Sequence, residues 1–148
     1  MKEKREYGPV PHECPGEFER ADLEVYGINH YKPSYTAMIF LNDPDVTEDN
    51  AEDTRASYAG RFSVFGHYHC FGGPGHCQVP ASTRRFDTRP SHPLTKAFKR
   101  VDITAALKQA VQQGENLTIT IVAHSAEGDD DDSVKNLMDF GGIQLTTF

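Results

Sequence analysis

The stretch Asn116–His124, NLTITIVAH, is the clearest strand in the sequence. Apolar and mostly polar residues alternate along it: Leu117, Ile119, Ile121 and Ala123 on one side, and Thr118, Thr120 and Val122 on the other. Alternation with a period of two is typical of a β-strand, because successive side chains point to opposite faces of the sheet. The stretch therefore predicts a fold built from β-sheet.

Comparable patterns predict further strands at 21–27, 34–41, 61–70, 98–103 and 142–148. The strand at 34–41 has apolar residues on both faces, which favours a place at the centre of a sheet. Thr104 is positioned to cap a short helix that ends at Gly114. Together these elements predict an all-β protein, an antiparallel β-sandwich or barrel of about six or seven strands with one short helix.

A chain of 148 residues is long enough for one domain with a substantial core. The first 20 residues contain Pro9, Pro11 and Pro15, so we expect 1–20 to be an irregular N-terminal arm and 21–148 to form a single β-sandwich domain. His12 and Cys14 lie in this arm, where an incidental placement is favoured over a role as extra metal ligands.

Composition narrows the range of partners and compartments. A net charge of -7 argues against nucleic acid or an anionic membrane as the main partner. No apolar run is long enough to span a bilayer, and the charged N-terminus has no apolar core of a signal peptide. We therefore expect a cytoplasmic protein, or one exported with a partner, and leave a homo-oligomer open. With three cysteines, at least one thiol is free or pairs outside the chain.

The segment 61–80, RFSVFGHYHCFGGPGHCQVP, holds three of the seven histidines and two of the three cysteines. If the strand continues to Cys70, His67 and His69 lie on one face and can converge on a point. The following glycines and Pro74 favour a turn, which would bring His76 and Cys77 back towards them. We call this segment the His/Cys loop.

Three interpretations of the His/Cys loop stay open. Imidazole and thiolate are preferred ligands of copper and zinc, so the loop is a candidate metal site. Cys70 and Cys77 could instead form a disulfide that closes a small glycine-rich loop. The third interpretation is a polar loop with ordinary buried thiols. The C-x6-C spacing matches no common zinc template, so the pattern does not decide among them.

His92 and His124 are candidates for an additional metal ligand at the His/Cys loop.

Two clusters of charged residues do not require a binding site to explain them. Three arginines lie close together after the loop, and we interpret them as an ion-pair network with Asp87 rather than a docking patch: Arg84, Arg85 and Arg89. The acidic run at 127–132 lacks the spacing of a calcium loop, so we expect it to face solvent.

Several segments together carry a family resemblance. They are LEVYGINHYKPSYTAMIFLNDPD, YAGRFSVFGHYHCFGGPGHCQVP, RRFDTRPSHPLTKAFKRVDITAAL and FGGIQLTTF. From about Asp22 onward they resemble the C-terminal β-domain of bacterial tyrosinases and polyphenol oxidases, which is related to the sandwich domain of arthropod haemocyanins. The most specific part is the run F-G-H-x-x-C-F-G-x-x-G-H-C-x-V-P.

The resemblance implies a companion domain without the oxidase centre, because the chain has no tryptophan, no long predicted helix and no paired histidine helices. In the family such domains cover the active-site mouth, keep the enzyme latent and assist copper loading. The implied partner is therefore a tyrosinase-type copper oxidase chain or domain. The shared run contains His67, Cys70, His76 and Cys77, while His69 lies at an open position. Bulky candidates for shielding are Tyr68, Phe71 and Tyr31.

We expect the companion domain to be non-catalytic. Two other functions remain possible interpretations of the sequence. The chain could be a stand-alone mononuclear copper enzyme in which His67, His69 and one further histidine leave an open coordination position. The further histidine would be His76, His92 or His124. It could also be a purely structural or interaction domain.

Overall fold

Seven strands and one helix are present in the parts of the chain that the computed structural model describes. These parts are residues 1–11, 17–67, 85–86, 95–114, 116–126 and 136–148. The elements are β1 (Lys2–Pro11), β2 (Ala21–Ile28), β3 (Tyr35–Leu41), β4 (Tyr58–Val64), β5 (Ala97–Asp102), α1 (Thr104–Gln113), β6 (Asn116–His124) and β7 (Gly142–Thr147). Within these ranges, no helix has the length and apolar character needed to cross a membrane.

The strands form two antiparallel sheets, one with the order β1-β6-β3-β4 and one with the order β5-β2-β7. The core lies between the sheets, where Leu23 of β2, Ile39 of β3 and Ile121 of β6 are fully buried. Leu107 places the apolar side of α1 against the same core. The predicted all-β sandwich is confirmed, and the sheets stay separate rather than closing into a barrel.

β3 lies between β4 and β6, as its two apolar faces predicted. Ile39 faces the core, whereas Phe40 points to the opposite side and packs with Val46 and Val122. Through Val46, the segment after β3 therefore packs against the outer face of the four-stranded sheet. Apolar groups on both faces of a strand are therefore explained by two separate layers of packing.

The prediction of an irregular arm at 1–20 is wrong for its first half, because Lys2–Pro11 form edge strand β1 on β6. The core-facing positions of β1 include the charged Glu3 as well as the aromatic Tyr7, so hydrophobic periodicity does not reveal the strand. Glu3 Oε2 accepts hydrogen bonds from the backbone N–H groups of Leu137 and Met138, at 2.6 and 2.8 Å. The 136–140 segment thus supplies hydrogen-bond donors for the charged core-facing position of β1.

β4 ends at Val64, six residues before the predicted end at Cys70. The predicted alternation is confirmed within the strand, since Phe62 and Val64 are buried and Ser63 is exposed. After the strand the chain turns onto the segment before β3. The Gly66 N–H donates to Ser34 Oγ at 3.1 Å, and a side chain at Gly66 would overlap the backbone at 32–34.

Thr104 is the first helical residue rather than the cap of α1. The capping position belongs to Ile103, which makes no capping side-chain hydrogen bond. Thr104 Oγ1 accepts from the Ala21 N–H at 2.9 Å and donates to Asp102 Oδ1 at 2.6 Å. The threonine therefore ties the start of the helix to β2.

Candidate functional site

His30 and His67 lie against each other at one end of the sandwich. His30 is in the turn between β2 and β3, and His67 follows β4. The His67 N–H donates to the His30 carbonyl oxygen at 2.7 Å. The two imidazole rings are perpendicular, with centroids 5.1 Å apart. We call these two residues the imidazole pair.

The surrounding backbone holds the His30 ring in one orientation. His30 Nε2 lies 2.7 Å from the Thr95 carbonyl oxygen, which can only accept, so Nε2 carries the proton. The preceding residue is fastened as well, since the Asn29 N–H donates to the Asp139 carbonyl at 2.8 Å. In a neutral His30 ring, the lone pair is then on Nδ1.

An aromatic ring lies next to each member of the imidazole pair. The Phe65 ring contacts His67 edge-on, with centroids 5.2 Å apart. The Tyr31 ring lies 6.4 Å from that of His30. Phe65 is 76% exposed and Tyr31 40% exposed. This end of the protein therefore presents apolar rings to solvent beside two half-buried imidazoles.

A groove of about 640 Å³ runs along the outer face of the four-stranded sheet. Phe65 forms part of its wall and thus lies between the groove and the imidazole pair. Arg61 and His124 also line it, and both are exposed. The other lining residues are Ser34, Tyr35, Thr36, Met38, Ser63, Val64 and Ala126.

The structure tests only part of the predicted metal site. His67 is described and lies beyond the end of β4 at Val64 rather than within the strand, while its predicted alignment with His69 falls outside the described residues. His124 ends β6, which is separated from β4 by β3. The remaining predicted ligands and shielding residues lie outside the described residues: Tyr68, His69, Cys70, Phe71, His76, Cys77 and His92. Across the described ranges, no group of three His, Cys, Asp or Glu residues could hold a metal ion.

The arginine cluster is also described only in part. The Arg85 guanidinium lies 5.5 Å from the centroid of the Phe86 ring, and Phe86 is 86% exposed. Arg84, Asp87 and Arg89 lie outside the described residues, so the predicted ion-pair network stays a prediction. The same holds for His12, Cys14, the acidic run at 127–132 and the disulfide between Cys70 and Cys77.

Sequence reasoning did not single out His30 as a site residue. His30 is 37 positions before His67 and belongs to a turn, where no periodicity links the two. The contact arises because the turn after β2 and the segment after β4 reach the same end of the sandwich. Only a correct pairing of β3 with β4 would have indicated this neighbour.

Solved structures of latent aurone synthase, a polyphenol oxidase, share this fold. The enzyme from its natural source matches with a TM-score of 0.51 and 14% identity over 99% of this chain and 24% of that chain. A recombinant form matches with a TM-score of 0.51 and 16% identity over 99% of this chain and 23% of that chain.

Because the sequence identity is only 14–16%, the similarity establishes a shared fold and no more. The chain spans about a quarter of the length of the solved structures that it matches. No family model matches the sequence, and no curated protein matches it. The fold is thus that of a portion of a polyphenol oxidase.

Proposed function

We propose that the protein is a non-catalytic companion domain of a type 3 copper oxidase, corresponding to the C-terminal region of tyrosinases and polyphenol oxidases. The observation that carries the proposal is that 99% of this chain matches only 24% of a latent polyphenol oxidase chain. A module that accounts for so small a part of an oxidase is suited to accompany the catalytic portion. The assignment to the C-terminal region comes from the sequence resemblance, and the size of the matched portion is compatible with it.

The exposed rings beside the imidazole pair support a shielding role. A domain that covers an active-site mouth needs a bulky side chain that can enter the partner's pocket. Phe65, within the His/Cys loop, is 76% exposed. Burial of an aromatic ring at an interface is favourable, and exposed apolar groups are suited to association. We therefore infer that the Phe65 end of the sandwich faces the oxidase, with Tyr68 and Phe71 as further shielding candidates.

A copper-loading role is the second part of the proposal. It is supported by the residue types of the His/Cys loop, because thiolate and imidazole suit Cu(I) at low coordination number. The proposed ligands are His67, His69, Cys70, His76 and Cys77. His92 and His124 are candidates for one additional ligand. Copper held in this way could be passed to the histidines of a partner oxidase.

A domain replacement tests the proposal. The portion of a latent polyphenol oxidase that matches this chain would be exchanged for it, and oxidation of a polyphenol would be followed with the copper content of the purified chimera. We expect a latent, copper-loaded enzyme that becomes active after proteolytic removal of the exchanged domain. Phe65→Ser should raise activity without removal, whereas Phe98→Ser, which changes a 51% exposed ring on the other sheet, should not.

Two results would contradict the proposal. One is a chimera that is fully active before proteolysis and has the same copper content as the catalytic portion alone. The other is turnover of the polyphenol by this chain by itself.

A further inference from the structure

We propose that His30 and His67 form a two-imidazole copper site that is independent of the cysteines. The choice of copper rests on the proposed function, while the site rests on the geometry of the imidazole pair. Imidazole is a good ligand for copper, and a pair of histidines supplies two of the positions of a four-coordinate ion. His30 lies outside the run F-G-H-x-x-C-F-G-x-x-G-H-C-x-V-P that contains His67, and it comes from a different turn of the fold.

The spacing of the rings fits a shared ion. When two imidazole nitrogens each lie about 2 Å from one tetrahedral ion, the ring centres are about 5 Å apart. The observed separation is 5.1 Å with an interplanar angle of 90°. Both rings are half-buried, and His67 Nδ1 is a buried atom. An ion between the rings would therefore be partly sheltered from water.

The hydrogen bond of His30 matches the usual support of a metal-binding histidine. Such histidines donate the N–H of the second ring nitrogen to a carbonyl or carboxylate, which fixes the tautomer and raises the basicity of the ligand nitrogen. His30 Nε2 makes this bond to the Thr95 carbonyl at 2.7 Å. Nδ1 is thereby left as the ligand atom of His30.

Backbone contacts preorganise the pair. The His67 N–H bonds the His30 carbonyl at 2.7 Å, so the two residues stay adjacent whether or not an ion is bound. Gly66 allows this approach because it lies against the backbone at 32–34. Phe65 covers one edge of the His67 ring and adds an apolar wall, which limits solvent access to a bound ion.

The experiment uses the full chain with its three cysteines changed to serine, so that thiols contribute nothing. Cu(II) would be titrated in against a competing chelator, and pulsed electron paramagnetic resonance would count the coordinated imidazoles. We expect about one equivalent bound through two imidazoles. His30→Gln, whose amide can still donate to Thr95, should lose one imidazole and weaken binding by at least about tenfold. His67→Gln should do the same, whereas His12→Gln, which changes a histidine with no assigned ligand role, should not.

Unchanged affinity and imidazole count in His30→Gln would overturn the site, as would an equal loss in His12→Gln. Circular dichroism would verify folding, and an unfolded cysteine-free chain would be replaced by wild-type chain alkylated with iodoacetamide. The latent chimera separates this proposal from the proposed function. If His30→Gln weakens copper binding while a chimera carrying the same change stays latent, the copper site is not needed for shielding. If copper binding is intact while the chimera is fully active, the site stands and the companion role fails.

Discussion

The backbone N–H of His67 donates to the carbonyl oxygen of His30 at 2.7 Å, and their rings meet edge-on 5.1 Å apart. One residue follows strand β4 and the other follows β2, so this contact joins the two sheets at one end of the sandwich. The contact gives the candidate site a rigid base at the start of the His/Cys loop. It also makes the site sensitive to residues that allow the two segments to approach.

Gly66→Ala should separate the imidazole pair. An added Cβ would overlap the backbone at 32–34, which cannot move as a flexible side chain can. Overpacking of this kind costs about 1–3 kcal/mol in the free energy of unfolding. Chemical denaturation would measure the cost. Gly114→Ala is the matched control, because a Cβ there meets no atom within 4 Å, and equal stability of the two variants would contradict the packing argument.

Glu3→Gln should loosen the 136–140 segment. The carboxylate accepts from the N–H groups of Leu137 and Met138 and pairs with Arg5 at 2.8 Å. Hydrogen bonds to a charged acceptor contribute about 1.5–3 kcal/mol, and the amide retains only part of that. Amide hydrogen exchange should accelerate at residues 137 and 138. Glu6→Gln, on the exposed side of β1, is the control and should leave those amides protected.

Asp43→Asn should remove a pH-dependent part of the stability. Hydrogen bonds from Arg55 lower the pKa of Asp43 from 3.8 to about 2, with a further contribution from Ser57. Because the folded pKa lies below the unfolded one, this stabilisation is present above about pH 4 and is lost as the pH falls towards 2. With solvent screening we expect it to be about 1 kcal/mol.

Urea denaturation of wild type and Asp43→Asn between pH 2 and 7 would measure this contribution. The two stability curves should lie apart at neutral pH and converge in acid. Asp49→Asn removes an ion pair in which the Asp49 side chain is 90% exposed, so it should shift the curve little. Parallel curves for wild type and Asp43→Asn across this range would refute the assignment.

Tyr35→Phe should leave the protein equally stable or more stable. The Tyr35 hydroxyl is buried and has no hydrogen-bond partner within the described residues. Burial also raises the pKa of Tyr35, so the hydroxyl stays protonated. Removing a buried polar group without a partner is neutral or gains up to about 1 kcal/mol. Thermal unfolding would show the change, and a loss above 1 kcal/mol would mean that the hydroxyl has a partner among residues outside the described ranges.

Apolar alternation made most of the fold predictable from sequence. β2, β3 and β6 bury alternate residues against one core, so their pattern is local and can be read along the chain. α1 was located from Thr104 and Gly114 near its two ends, and the structure buries Leu107 and Ala110 of this helix. β4 was recognised, but its end was misplaced because Gly66 turns the chain through a contact with a distant segment.

The sequence by itself determined the all-β class and the residue types of the His/Cys loop, because alternation and composition are properties of neighbouring residues. Only the tertiary structure decided that β1 is a strand, since Glu3 and Arg5 are satisfied by backbone groups more than 130 positions away. It also decided that His30 is the partner of His67. Contacts between distant segments depend on how the sheets pair, and no local pattern encodes them.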